Sequence, residues 1–189
     1  MHPLADLALL LVHETGHRIA SVRQLRWDDV DDAEGIVRWR GCADKMGHDH
    51  RTPLSDAARA ALRQRRAVSR GSAWIFPSPS DPTVPVSRNL VRDWWREMEL
   101  CAGLAPEPGR GWHALRRTFA TELKGLPLCD LMALGGWQSP LTLTMCYTAA
   151  DPATQRQALA KRGILTAEGL ATDTLTDTGA GIPNAERPT

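Results

Sequence analysis

The stretch from Trp112 to Tyr147 contains residue types that could act on a phosphodiester bond. His113 and Arg116 are three residues apart, so a helix would present both side chains on one face. A guanidinium fork matches the oxygens of a phosphate, and a hydroxyl group can attack phosphorus. Tyr147 is the only tyrosine in the 189 residues and would supply that hydroxyl. The stretch therefore combines groups that bind phosphate with one candidate nucleophile.

The same helix carries an apolar face. Leu115, Phe119 and Leu123 recur at positions i, i+4 and i+8 and fall on a separate arc, which predicts a core face. Taken alone, His113 and Arg116 would fit an ordinary surface helix with a basic face. The interpretation therefore depends on whether the other parts of such a site follow in the right order.

Those parts do follow, and their order resembles one family. After His113 and Arg116 comes Leu134-Gly135-Gly136-Trp137, and Tyr147 lies ten residues beyond the tryptophan. The stretch resembles the catalytic domain of the tyrosine recombinase (phage integrase) family. The family pattern is H-x-x-R, then L-G-H or G-G-W, then a nucleophilic tyrosine. Here the interval from tryptophan to tyrosine is one residue longer than the family leads us to expect.

The resemblance extends upstream and covers about Leu4 to Ala160. Thr15-Gly16-His17-Arg18 matches the family signature T-G-x-R, although Ser21 stands where the family often has an acid. Lys45 lies in a predicted hairpin loop and matches the lysine of the family, on a loop of the kind that can close over DNA. The chain starts at the first helix of this domain, so the resemblance implies that the helical core-binding domain is missing. A fragment, a degenerate copy and a naturally minimal form all fit.

The resemblance implies DNA strand cleavage by transesterification through a 3′-phosphotyrosine, with no metal, ATP or other cofactor. Six residues match the expected catalytic set: Arg18, Lys45, His113, Arg116, Trp137 and Tyr147. Arg18 and Arg116 would bind the non-bridging phosphate oxygens, where negative charge accumulates. The pKa of a free phenol is near 10, and neighbouring cations would favour the phenolate of Tyr147.

The other three residues would transfer protons, donate hydrogen bonds to the phosphate or support the tyrosine helix. The departing alkoxide is a poor leaving group, so Lys45 is expected to protonate it. His113 would move a proton or donate to a phosphate oxygen. Trp137 would donate its indole N–H or support the helix that carries the tyrosine.

A rival motif, His13-Glu14-Thr15-Gly16-His17, matches the H-E-x-x-H pattern of zinc hydrolases. On one continuous helix, histidines at i and i+4 can bind zinc while the glutamate activates water. This interpretation requires the helix to continue through Gly16, and it requires a third ligand. It also leaves Lys45 and Tyr147 unexplained, so zinc hydrolase is the weaker alternative.

The sequence pattern predicts an α+β fold, mainly α-helical, with a small antiparallel hairpin, and the resemblance implies the tyrosine recombinase catalytic-domain type. Helices are predicted over residues 4–14 and 19–27, and hairpin strands over 36–40 and 51–54. Later helices are predicted to begin near Ser55, Ser87, Trp112, Leu128, Pro140 and Pro152. We assign residues 1–162 to the catalytic domain. Residues 163–189 contain few large apolar residues and are predicted to form a disordered tail.

The composition and the absence of certain motifs argue against several classes of protein. The sequence has no apolar run of 18 residues, no secretory signal pattern and no C-x-x-C pair among its four cysteines. We therefore expect a cytoplasmic protein that does not span a membrane, and the resemblance implies that it is nucleoid-associated. The net charge is only +1, but residues 163–189 carry −3, so the rest carries +4.

The expected function is site-specific DNA recombination or integration, with double-stranded DNA as partner and a homo-tetramer assembled on it. Integrase, resolvase and transposase roles all fit. Three alternatives stay open: a non-catalytic DNA-binding remnant of an integrase, a type IB topoisomerase and the zinc hydrolase.

Overall fold

The computed structural model describes residue 2 and residues 4–43, 49–69, 71–147 and 150–161. The helices within these ranges are α1 Ala5–Thr15, α2 Ile19–Val22, α3 Asp56–Ala67, α4 Arg88–Cys101, α5 Trp112–Glu122, α6 Leu128–Gly135, α7 Pro140–Cys146 and α8 Pro152–Ala160. The strands are β1 Val30–Asp31, β2 Ile36–Trp39 and β3 His50–Pro53, and short 3-10 turns cover Trp27–Asp29 and Gly41–Ala43. The prediction of a mainly helical α+β fold is confirmed.

The chain separates into two units after residue 149, and the structure describes the second over residues 150–161. In the first unit, α1 packs against α2, α3, α4 and α5. Leu7, Leu11 and Val12 of α1 are buried, as expected for a helix that is apolar on nearly every side. Burial of each such side chain stabilises the fold by about 2 kcal/mol. In the second unit, α8 is capped by Asp151 and has no buried residue.

The three strands form one antiparallel sheet in the order β1-β2-β3. Val37 pairs with Thr52 across the predicted hairpin, and the Trp39 indole N–H donates to Thr52 Oγ1 at 2.8 Å. The hairpin prediction is confirmed, whereas β1 is an additional strand that pairs with β2. Residues 44–48, which include Lys45, lie outside the described residues, as does the tail predicted over 163–189.

The prediction for the second helix is wrong beyond Val22. The helix α2 ends there: local turn hydrogen bonds continue only as far as Leu25 N, and beyond that point the backbone pairs with a distant segment. Trp27 N donates to Ala73 O, and Ile75 N donates to Leu25 O. A long-range pairing of this kind leaves no local signal in the helical periodicity.

Side-chain caps begin several of the later helices. Ser55, Ser87 and Ser139 each accept a hydrogen bond from the backbone N–H three residues ahead, and Pro140 occupies the first turn of α7. These starts confirm the predicted helix boundaries. Within the described residues, no helix combines the length and the hydrophobicity needed to cross a membrane.

Gly16 ends α1 in the left-handed conformation, with φ of 65°, and its N–H donates to Val12 O. The ring of Phe119 on α5 lies directly against the Gly16 Cα, where any side chain would overlap it. Glycine is thus required twice at this position, once for the backbone conformation and once for the close approach of α5.

We expect Gly16→Ala to lower the free energy of unfolding by more than about 1 kcal/mol, because left-handed strain and displacement of the Phe119 ring add. Gly71→Ala is a matched control, since Gly71 also has a positive φ of 78° but no described atom lies within 4 Å of the added methyl group. Urea unfolding of both variants measures the difference. Equal destabilisation would contradict the packing argument.

His17 follows this turn and is buried at 3% exposure. Its ring stacks on Trp39 at a centroid distance of 3.7 Å, and Nδ1 lies 2.9 Å from Thr15 O. Burial, followed by the nearby His50 and the charge of Arg116, holds the pKa of His17 well below the usual 6.5. The folded protein therefore keeps this ring neutral near physiological pH.

Acidification is expected to destabilise the fold through His17. Below about pH 6.5 the unfolded chain takes up a proton on this residue, whereas the buried ring does not. The stabilisation that neutral His17 gives the folded state is therefore complete above that pH and is lost as the pH falls. The limiting slope for one proton is about 1.4 kcal/mol per pH unit. Denaturant unfolding at a series of pH values gives the slope of the free energy of unfolding against pH. This slope should be smaller for His17→Gln, whereas His13→Gln, at an exposed position, should match the wild type. An unchanged slope in His17→Gln would refute this origin.

Candidate active site

Arg116 on α5 lies at the centre of the site and is only 1% exposed. Its Nη1 donates to Gly16 O and to Gly135 O, each at 2.6 Å. Gly16 caps the C-terminal end of α1, and Gly135 is the last residue of α6. Helix C-termini carry partial negative charge, so two helix ends compensate the buried guanidinium. The sequence suggested a cationic face apart from the core arc, but the structure draws Arg116 inward because these carbonyls converge there.

Trp137 covers the other side of the guanidinium. The Arg116 Cζ lies 3.9 Å from the centroid of the indole, within the range of a cation–π contact. The indole rests against the Gly135 Cα, so a side chain at Gly135 would overlap the ring. The Trp137 indole N–H is buried and has no hydrogen-bond partner among the described residues. The Gly-Gly-Trp motif thus brings a hydrogen-bond donor beside the arginine.

Tyr147 follows α7 directly and reaches the same cluster. Its ring makes edge contacts with Trp137 at 5.4 Å and with His113 at 5.2 Å between centroids. The Arg116 Cζ lies 5.4 Å from the tyrosine centroid, and the Tyr147 carbonyl accepts a bond from Thr121 Oγ1 at 3.2 Å. The phenol therefore lies among the cationic and imidazole groups, not in a separate part of the core.

The tyrosine is 7% exposed and borders a groove on the outer face of α5. The groove has a volume of about 580 Å³. Its lining residues are Ala114, Arg117, Thr118, Thr121, Glu122, Met145, Cys146 and Tyr147. The nucleophile candidate thus lies at the boundary between the second core cluster and an open surface.

His113 is exposed at the start of α5, one turn before Arg116. Partial burial lowers the pKa of its ring, and the charges of Arg117, Arg116 and Arg18 lower it further. A neutral imidazole at physiological pH can accept a proton from a neighbouring hydroxyl group.

Arg18 lies in the turn between α1 and α2 and lines a cavity of about 640 Å³. Arg23, Arg88 and Arg92 line the same cavity, and none of the described residues that line it is acidic. Burial and the charge of Arg88 lower the pKa of Arg23, as expected where cations gather. This cavity is a site of concentrated positive charge next to the turn that holds Arg18.

The structure therefore brings four of the six predicted residues into one cluster, His113, Arg116, Trp137 and Tyr147. Arg18 lines the cavity described above. Lys45 lies outside the described residues. The extra residue between Trp137 and Tyr147 does not separate them, since their rings are in contact.

Sequence reasoning missed several residues around this cluster. Arg88 and Arg92 are four residues apart on α4, and that spacing of basic residues was the available signal for a cationic face. Arg117 adjoins the H-x-x-R motif itself. His50 carried no recognisable signal, because its partner, His17, is 33 residues away in the sequence.

The structure does not meet the geometric requirement of the zinc motif. Helix α1 ends at Thr15, and the left-handed Gly16 turns the chain. His13 is exposed and lies 3.1 Å from Glu14, whereas His17 is buried and engaged elsewhere. Among the residues that the structure describes, no group of three metal-ligating side chains lies together.

Comparison with known proteins places these observations in one family. The Phage integrase family profile matches residues 4–154. Prophage integrase IntA of Escherichia coli (strain K12) is 35% identical over 112 residues, which cover 58% of this chain and 26% of that protein. Tyrosine recombinase XerC of Xanthomonas campestris pv. campestris (strain B100) is 30% identical over 151 residues, 78% of this chain and 45% of that protein. The chain thus spans less than half the length of these two relatives.

Solved structures share the fold. The crystal structure of XerA recombinase aligns with a TM-score of 0.67 at 23% identity, over 86% of this chain and 60% of that one. The XerH site-specific recombinase bound to palindromic difH substrate, in a post-cleavage complex, aligns with a TM-score of 0.67 at 21% identity, over 83% of this chain and 45% of that one. The predicted recombinase catalytic-domain fold is confirmed. The chain belongs to the phage integrase family of tyrosine recombinases.

Proposed function

We propose that this chain is the catalytic part of a site-specific DNA recombinase or integrase, which cuts and rejoins DNA through a 3′-phosphotyrosine. The observation that carries the proposal is the contact of the Tyr147 ring with His113 and Trp137 beside the Arg116 guanidinium. The phenol ring thus has an imidazole, an indole and a guanidinium within 5.4 Å of its centre, and these are groups that can move a proton or bind a phosphate.

The reaction exchanges one ester for another. The Tyr147 oxygen attacks the phosphorus and forms a new P–O bond, while the bond to the 5′-oxygen of the next nucleotide breaks. Arg18 and Arg116 stabilise the charge on the non-bridging oxygens, and the Trp137 N–H adds a neutral donor. These donors are held in place before the reaction, which is the condition under which electrostatic stabilisation is most effective.

Proton transfer accompanies both ends of the exchange. The phenol must lose its proton, and the low pKa of His113 leaves that imidazole able to accept it. The departing 5′-oxygen must gain a proton, a role that we assign to Lys45. Attack by a 5′-hydroxyl on the phosphotyrosine reverses the sequence, so the bond energy is conserved and no cofactor is consumed.

Double-stranded DNA is the partner that this surface fits. The cavity beside Arg18 presents four arginines and, among its described residues, no carboxylate, a charge distribution suited to a phosphate backbone. Structural neighbours have been solved with nucleic acid: XerH with difH substrate, and the Tn1549 transposon integrase with circular intermediate DNA. By analogy we assign DNA recombination to residues 1–162, action as a homo-tetramer on DNA, a role in a mobile element and a cytoplasmic, nucleoid-associated location.

A covalent adduct tests the chemistry. A duplex with a nick near the cleavage point loses the short fragment after attack and traps the phosphotyrosine. The wild type should form a denaturant-resistant adduct, and Tyr147→Phe should form none while retaining its fold, because the phenyl ring preserves the contacts with Trp137 and His113. An adduct that persists in Tyr147→Phe would contradict the assignment. Duplex binding without any adduct would favour the non-catalytic remnant.

Removing positive charge from the cavity beside Arg18 tests the DNA interaction. Arg88→Gln or Arg92→Gln should weaken duplex binding and reduce the slope of log affinity against log salt concentration by about one for each phosphate that the variant no longer neutralises. Arg96→Gln is the matched control, because Arg92 and Arg96 lie on the same helix and close to Asp93, at 3.8 and 3.7 Å, but only Arg92 lines this cavity. Fluorescence anisotropy over a salt series gives the slopes, and an equal decrease for all three variants would argue against a specific phosphate site.

A further inference from the structure

His17 and His50 form a close imidazole pair that the mechanism above does not use. Their Nε2 atoms lie 2.6 Å apart, although the residues are 33 positions apart in the sequence. His17 belongs to the turn after α1, and His50 is the first residue of β3. The pair thus joins the loop end of the hairpin, where His50 pairs with Trp39, to the turn that precedes Arg18.

The hydrogen-bond partners settle where the protons lie. Thr15 O can only accept, so the His17 Nδ1 at 2.9 Å must carry a proton. In a neutral ring the His17 Nε2 is then an acceptor. The proton between the rings therefore belongs to His50 Nε2, which donates to His17.

The backbone of Gly136 packs against both rings. A Cβ built on Gly136 would lie 2.6 Å from His50 Nε2 and 3.1 Å from His17 Nε2. The preceding residue, Gly135, gives its carbonyl to Arg116, and the following residue is Trp137. On the other side, His17 follows Gly16, which provides the second carbonyl to Arg116. The imidazole pair therefore borders both of the backbone segments that hold the guanidinium.

We propose that His17 and His50 are a pair of positioning residues, which hold the Gly135–Gly136 turn so that Trp137 and Arg116 keep their geometry for phosphoryl transfer. The mechanistic part of this inference rests on the proposed function. The structural part does not, because it concerns the folded chain without DNA.

A metal ion between the rings fits the geometry less well than a hydrogen bond. Two imidazole nitrogens bound to one tetrahedral zinc would lie about 3.3 Å apart, well beyond the observed 2.6 Å. The described groups that face His17 are also cationic or neutral. Arg116 of α5 and the adjacent Arg18 are positive, the Trp39 ring of β2 is uncharged, and the segment after α6 contributes the Gly136 backbone.

The tautomers can be observed directly. Long-range ¹H–¹⁵N spectra of the labelled protein, assigned with His17→Gln and His50→Gln, should show His17 protonated on Nδ1 alone and His50 protonated on Nε2. A His17 ring protonated on Nε2 at neutral pH would overturn the pair as described.

Hydrogen exchange tests the positioning. The Trp137 amide donates to Met132 O at 2.9 Å, so its exchange reports on the Gly136 turn. His50→Leu should accelerate exchange at Trp137 about tenfold while the amides of α1 are unaffected. His50→Gln should restore protection, since its amide can donate to His17 Nε2, and His13→Gln should have no effect. Unchanged exchange at Trp137, or equal acceleration throughout the domain, would overturn the proposal.

Cleavage provides the functional readout. In single-turnover reactions on saturating nicked duplex, His50→Leu should form the adduct at least about tenfold more slowly, with unaltered duplex affinity. His50→Gln should recover most of the rate. A wild-type rate in His50→Leu would overturn the mechanistic part. If the wild-type protein forms no adduct, the proposed function fails, whereas the exchange experiment still decides whether the pair positions the turn.

Discussion

The site depends on one buried positive charge that two helix ends compensate. A guanidinium taken out of water is strongly destabilising unless hydrogen bonds and opposite charge replace the solvent. Arg116 obtains both from Gly16 O and Gly135 O, the terminal carbonyls of α1 and α6. Both of these hydrogen bonds come from Nη1, one nitrogen of a group with five N–H donors. Folding thus brings α1, α5 and α6 together at the proposed phosphate site.

Three glycines allow the surrounding groups to approach this charge. Gly16 admits the Phe119 ring, Gly135 admits the indole of Trp137, and Gly136 admits the imidazole of His50. In each case a side chain would occupy space that an aromatic ring now fills. The close packing that stabilises the domain and the geometry of the candidate site therefore come from the same contacts, and a substitution here would alter both.

Residue types that act locally, such as helix caps and turn glycines, correctly predicted where several helices begin or end. The caps Ser55 and Ser87 and the left-handed Gly16 lie where their residue types require. The sequence could not predict features that depend on distant partners. The backbone beyond α2 pairs with residues 73–75, and Arg116 is buried because two separate helix ends converge on it. Each motif residue was identifiable, but its depth in the fold was not.

The helix that precedes the tyrosine is attached to the domain by a small apolar interface. Within α7, whose residues the structure describes in full, Leu143 alone is buried, whereas Leu141 and Met145 on its outer side are 66% and 75% exposed. Leu143 and Tyr147 belong to the small second cluster, separate from the large one around α1. Fraying of this segment would disrupt mainly that cluster, so we expect Tyr147, the proposed nucleophile, to move more easily than the residues of the large core.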